Sequence, residues 1–273
     1  MLKGLKILDF THRLPGPLAG KILSDLGAEV IKVEDEKHKD PFLSGMFSAF
    51  DKSFEEWYEE LNQGKRIIRL DFKSPGIKEE IKALLKDASG VMLSLSPKLK
   101  MNLGLTDEDL KSYHLGAIDL EASSTHNKAM HDLNALAISG HLSLHVEGEN
   151  RTIVPPPFFP VAGIAFGQQV ATEMLALILE SKNQGRFVKS VSYLHDTAQR
   201  IFDPFWPKKI REEKRTKFLH NGAYPCYSLY RTLDGQYVAL AAVEDKFWID
   251  LLQTFPIALP LERRFETSDD HDH

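Results

Sequence analysis

Apolar residues open this chain in short runs separated by helix-like stretches. Residues 5–10 (LKILDF) read as a strand, and Pro15-Gly16-Pro17 is expected to break it. Residues 18–26 then set Leu18, Ile22, Leu23 and Leu26 on one helical face, with Gly27 placed to end the helix. Residues 29–34 (EVIKVE) make a second strand. Strand, helix and strand in this order predict a βαβ unit, with parallel strands and a right-handed crossover. The alternation continues: strands over 66–72, 90–95 and 117–122, and helices over 76–86 and 106–113, the second capped by Thr106. Pro155-Pro156-Pro157 marks a rigid break, and 163–181 reads as a long buried helix. After Gly185 the texture changes. A strand over 187–193 and a helix over 196–202 precede a hairpin, 227–231 with 237–243, turned at Asp234-Gly235. A helix over 245–252 follows, and the polar stretch 266–273 reads as a loose tail. The alternation predicts an α/β protein with an open, mostly parallel sheet.

The composition narrows the class. Hydrophobic residues make up 42% of the 273 residues and charged residues 27%, enough for a packed core. The net charge of −5 argues against nucleic-acid binding through bulk positive charge. A single cysteine, Cys226, excludes an internal disulfide and a cysteine-built zinc site. The amino-terminal residues run straight into a strand pattern with no signal-like apolar region. The longest apolar stretch, 161–179, carries Gln168, Gln169, Thr172 and Glu173 and reads as a poor membrane span. The expectation is a cytoplasmic protein without membrane, nucleic-acid or metal partners.

Several motifs then occur in a specific order. Gly4-Leu5-Lys6-Ile7-Leu8-Asp9-Phe10 is followed by Pro15-Gly16-Pro17 and Leu26-Gly27-Ala28-Glu29-Val30-Ile31-Lys32-Val33-Glu34. Next come Asn62-Gln63-Gly64-Lys65-Arg66, Leu103-Gly104-Leu105, His131-Asp132-Leu133-Asn134, Gly222-Ala223-Tyr224-Pro225-Cys226-Tyr227 and Ala242-Val243-Glu244-Asp245. This series resembles the class III (CaiB/BaiF) CoA-transferase family, nearest its α-methylacyl-CoA racemase branch. The resemblance implies a large Rossmann-like domain over 1–200 and a smaller α+β domain over 201–273, CoA or acyl-CoA as the ligand, no metal, and an interlocked dimer. Members are usually longer, with a carboxy-terminal return to the large domain that has no counterpart before His273. The partner implied is a second copy, or an intact family member whose own aspartate supplies the chemistry.

The resemblance also implies site residues. Transferases of the family attack the thioester with an aspartate and carry the acyl group as a mixed anhydride. The racemase branch moves the α-proton of an acyl-CoA and needs a base, an acid and enolate stabilisation. Carried over, the acid–base residues are His131, Asp132 and the small-domain Glu244. The first-turn residues Pro15, Gly16 and Pro17 would lie close to the ligand, with Lys65 and Arg66 as phosphate contacts. The family aspartate should follow the proline run. Val161 stands in its place, and no aspartate occurs between residues 133 and 195. Asp35 and Ser96 stand where the family places arginines for CoA phosphates, with Lys98 or Lys100 as partial substitutes. The usual glycine-rich loop before the His-Asp motif is replaced by Ser123-Ser124-Thr125-His126-Asn127-Lys128.

The expected function is a racemase-like family member with catalysis weakened or lost, a pseudoenzyme in the limiting case. The alternative is a non-catalytic acyl-CoA-binding or partner subunit. An active transferase would need a relocated nucleophile, and only Glu147 and Glu149 lie between Leu133 and the proline run. Local chemistry offers simpler roles as well. His131 and Asp132 could cap the helix near Leu133, and Glu244 could be a first-turn acid. His271-Asp272-His273 is a weak metal motif in a terminal tail, and Cys226 reads as structural.

Overall fold

A computed structural model describes residues 1–125, 129–146, 152–213, 218–255 and 257–266. His126, Asn127, Lys128, Glu147, Glu149 and the His271-Asp272-His273 motif lie outside the described residues. The chain divides into two compact units, Met1–Phe205 and Trp206–His273.

The first unit is built on six parallel strands: β1 (Lys6–Phe10), β2 (Glu29–Asp35), β3 (Arg66–Leu70), β4 (Gly90–Leu93), β5 (Gly116–Glu121) and β6 (Val188–Tyr193). Their spatial order is β3-β2-β1-β4-β5-β6. Ile7 of β1 lies opposite Val30 on one side and Gly90 on the other. The connecting helices are α1 (Pro15–Asp25), α2 (Met46–Phe50), α3 (Ser53–Asn62), α4 (Ile77–Leu85), α5 (Pro97–Leu103), α6 (Asp107–Leu110), α7 (Asp132–Ile138), α8 (Leu142–His145), α9 (Val161–Gln184) and α10 (Leu194–Phe202).

The strands are apolar at successive positions because both faces are covered. Ile7, Val30, Met92 and Ile118 point to one face, under Ala19 and Leu23 of α1 and Phe166, Val170 and Met174 of α9. Leu8, Ile31, Val91 and Ala117 point to the other, under Ile77, Ile81 and Leu85 of α4. Each such fully buried aliphatic side chain contributes about 1.5–3 kcal/mol. By length and composition α9 could span a membrane, but more than half of its most apolar eighteen-residue window is buried inside the protein.

The expected elements are present, and their ends shift for physical reasons. α1 starts at Pro15, not Leu18. The prolines that end β1 also form the helix's first turn, where a missing N–H costs nothing. β3 stops at Leu70 rather than residue 72, and β4 at Leu93 rather than 95. Phe72 and Leu95 leave the sheet to line a cavity. The helix expected over 106–113 is the single turn Asp107–Leu110, closed by a reciprocal Thr106–Asp109 capping box. α3 was not anticipated: its sequence, SFEEWYEELN, is largely charged, and it buries only Tyr58 and Asn62.

The second unit holds α11 (Lys208–Glu212), the antiparallel hairpin β7 (Tyr227–Arg231) and β8 (Tyr237–Ala241), and α12 (Asp245–Thr254). Its buried centre is Cys226, Ala242 and Trp248. At the hairpin turn the Asp234 carboxylate accepts from the Gln236 N–H and the Thr232 hydroxyl.

Candidate functional site

Strand order reverses between β1 and β4, which opens a crevice at the carboxyl ends of the strands. A cavity of about 660 Å³ lies there, within the size range of small-molecule sites. Phe10, Val33, Phe72 and Leu95 form apolar walls, and Thr11, His12, Lys32 and Ser94 supply polar groups deeper in. The exposed residues lining its mouth include His38, Lys39, Lys73, Ser96 and Lys98.

Beneath the cavity a buried charge network fixes the β1–α1 loop. The Lys65 ammonium lies 3.1 Å from Asp9 Oδ2 and donates to the Pro17 carbonyl (2.8 Å) and Asn62 Oδ1 (2.9 Å). The Thr11 N–H and hydroxyl both donate to Asp9 Oδ1. Burial alone would raise the Asp9 carboxyl; Lys65 and Lys32, with the Thr11 donors, hold it down at about 2. Burial pushes the Lys65 ammonium below its ordinary value, opposed by Asp9. Lys32 donates to the Thr11 carbonyl and lies 3.9 Å from Asp40 Oδ2.

Asp40 also accepts from the Arg13 N–H at 2.9 Å. Arg13 has φ 65°, a left-handed conformation that costs a non-glycine residue about 1–2 kcal/mol. The Asp40 bond, and the guanidinium stacked 5.5 Å from the Phe47 ring, hold it there. His12 Nδ1 lies 2.9 Å from Ser94 Oγ, and burial pushes its imidazole below the ordinary value. Gly16 is required by this loop, since a Cβ there would fall 2.1 Å from Thr11 Oγ1.

The expected site residues do not share one place. Pro15, Gly16 and Pro17 form the first turn of α1, directly under Thr11. Lys65 is buried with its donors engaged inside the fold, and does not line the cavity. Arg66 is exposed at the start of β3, the opposite end of the strand from Phe72 and Lys73. Lys100, considered a substitute phosphate contact, is ion-paired 2.5 Å from Asp119. Asp35 and Ser96 do line the cavity, although Ser96 Oγ also accepts from the Leu99 N–H to cap α5.

His131 and Asp132 start α7. His131 is exposed at the N-cap position, its N–H donating to Asn134 Oδ1 at 3.0 Å. Asp132 is half-buried, and its Oδ1 accepts from the Gly163 N–H at 2.7 Å. Asp132 thus supplies the carboxylate for the first turn of α9, whose own N-cap is Pro160. Burial raises the Asp132 carboxyl above its ordinary value, against the lowering effect of the Gly163 and Ala162 N–H groups. Val161 is the first residue of α9, but Gly163 is the one that meets Asp132: a Cβ there would lie 3.7 Å from Asp132 Oδ1 and 2.9 Å from Leu14 Cδ2. Glu244 belongs to the second unit, exposed at the N-cap of α12, where its carbonyl accepts from the Trp248 N–H.

Motif reading did not pick out His12, Ser94, Lys39 or Lys73. Their signal is positional, because each follows the carboxyl end of a parallel strand. Among the described residues no group of three or more His, Cys, Asp or Glu side chains is arranged to hold a metal.

The sequence profile of CoA-transferase family III matches residues 2–273. The chain belongs to this family. A CaiB/BaiF CoA-transferase family protein of Caenorhabditis elegans is 26% identical over 267 residues, covering 92% of this chain and 72% of that protein. The mouse α-methylacyl-CoA racemase is 27% identical, covering 93% of this chain and 64% of the enzyme. The chain spans about two thirds of the length of such relatives. The crystal structure of Rv3272 from Mycobacterium tuberculosis superimposes with a TM-score of 0.68 at 25% identity, over 92% of this chain and 67% of that one. A CaiB/BaiF family structure from Brucella suis shares the fold at a TM-score of 0.75 and 22% identity, over 94% of this chain and 70% of that one.

Proposed function

We propose that this family III protein is racemase-like, binds an acyl-CoA in the β1–β2–β4 cavity, and has lost covalent acyl transfer. The observation that carries the reading is the first turn of α9. Val161 and Gly163 offer no nucleophile there, and the nearby carboxylate, Asp132, is bound to a backbone N–H. A mixed anhydride needs an attacking carboxylate directed at the thioester, and Asp132 instead turns one oxygen to the Gly163 N–H at the start of α9.

The β1–α1 loop supports a single extended ligand. Thr11 lines the cavity, and Leu14, a few residues on, packs on Gly163 beside Asp132. A nucleotide end in the cavity and an acyl end over the α9 terminus would run along this loop. The exposed Lys39, Lys73 and Lys98 suit the phosphates, and the apolar walls suit a base. At the acyl end, the exposed His131 is the group able to take an α-proton, and the raised Asp132 carboxyl suits a group that holds one. Glu244 is the third acid–base group that the family resemblance implies.

The test is exchange of the α-hydrogen of a 2-methylacyl-CoA with deuterated solvent, together with calorimetric binding of CoA. Binding with exchange that falls on His131→Ala or Glu244→Gln supports the racemase-like reading. Binding without exchange supports the second reading, an acyl-CoA-binding subunit that pairs with another copy or with an intact relative. Val161 at the start of α9, where the family resemblance places an aspartate, favours that outcome. Trapping of an acyl-enzyme would refute the loss of covalent transfer.

A further inference from the structure

The end of β2 has a defined place in doubly wound sheets. An acidic side chain there accepts hydrogen bonds from the ribose hydroxyls of a bound nucleotide, and basic side chains accompany a phosphorylated ribose. Asp35 is the last residue of β2 and lines the cavity. Its Oδ1 accepts from the Lys37 N–H at 3.1 Å. The Lys37 ammonium is held 2.5 Å from Asp71, on the β3 side of the loop.

The other two acids lining the cavity are matched inside the fold. Glu34 lies 3.3 Å from the Arg69 guanidinium and accepts from the Tyr58 hydroxyl at 2.9 Å. Asp40 accepts from the Arg13 and Phe42 N–H groups and faces the Lys32 ammonium. Among the described residues, no side-chain cation forms an ion pair with Asp35. The cavity therefore combines ammonium groups at its mouth, from Lys39, Lys73 and Lys98, with one unmatched carboxylate at the ribose position.

We propose that this cavity selects an adenosine diphosphate group whose ribose carries free hydroxyls, and that Asp35 makes the selection. The inference rests on the CoA-type ligand proposed above and narrows its class. The mouth lysines attract the diphosphate. Ribose hydroxyls would donate charge-assisted hydrogen bonds to Asp35. A phosphate on the ribose would bring a second anion against that carboxylate, and the repulsion would weaken binding.

CoA and dephospho-CoA differ only in the ribose 3′-phosphate, so paired calorimetric titrations on the full chain isolate this effect. Dephospho-CoA is expected to bind at least about tenfold more tightly than CoA. The ratio should shrink as salt is raised, because Asp35 is partly exposed. Asp35→Asn should bring the ratio near one, and Asp35→Arg should reverse it. Circular dichroism of both variants should match the parent. CoA binding as tightly as dephospho-CoA, or a ratio unchanged in Asp35→Asn, would overturn the selection while leaving the CoA-type site in place. Absence of binding by either compound would overturn the ligand reading itself, and this inference with it.

Discussion

Lys65 provides the sharpest test of how this site is built. Its ammonium is completely shielded, lies 3.1 Å from the equally shielded Asp9, and donates to the Pro17 carbonyl and Asn62. Replacing it with methionine keeps the volume roughly constant and removes the charge. Asp9 would then be left buried with Lys32 as its remaining cationic neighbour. Breaking one side of a buried ion pair costs about 3–5 kcal/mol. In a unit of this size that corresponds to a fall in Tm on the order of 10 °C. The double variant Asp9→Asn/Lys65→Met should lose less than the two single variants together, because neither charge is then orphaned. Urea unfolding followed by circular dichroism gives the stabilities, and calorimetric CoA titration gives the ligand side. A Lys65→Met protein within about 0.5 kcal/mol of the parent that binds CoA more weakly would refute this account, since at that size it is only a surface substitution. Lys65 would then be a phosphate contact, as its place in the Gly64-Lys65-Arg66 motif suggested.

Other expectations follow from the same geometry. The Asp9 carboxyl is held at about 2, below its ordinary value of 3.8, so its stabilisation is complete above about pH 4 and is lost as pH falls toward 2. This is worth about 2 kcal/mol, and the urea midpoint measured against pH should show an acid limb that Asp9→Asn removes. Gly16→Ala should cost about 1–3 kcal/mol, because the new methyl would displace the Thr11 side chain that holds Asp9; thermal melts would show it. Asp132→Ala should cost about 1 kcal/mol by orphaning the Gly163 N–H, whereas Asp132→Asn, which keeps an acceptor, should cost little. Equal losses for the two Asp132 variants would refute its role at the α9 terminus. His131→Ala should leave stability within about 0.5 kcal/mol, since the residue is exposed.

Much of the fold was legible in the sequence because its signals are local. Short apolar runs alternating with helical periodicity made the parallel sheet visible, and the ordered motifs carried the family. The absence of any aspartate between residues 133 and 195, on which the proposed loss of acyl transfer rests, was equally plain. Local reading failed where one residue serves two elements. Pro15 and Pro17, taken as a break, open α1 because a helix tolerates proline in its first turn. Asp132, placed by sequence at the start of one helix, spends its carboxylate on the start of another, with Gly163 thirty-one positions away.

Charge was the least legible property, because its meaning depends on burial. Lys65, Lys98 and Lys100 read alike along the chain. Folding places the first against Asp9 and the last against Asp119, and leaves Lys98 at the cavity mouth. The sequence determined which groups exist and which strands and helices they ride on, because those depend on neighbours a few residues apart. The tertiary structure alone decided which charges are neutralised inside and which face the cavity. Desolvation and pairing are set by residues far apart in the chain that the parallel strand order β3-β2-β1-β4-β5 brings together.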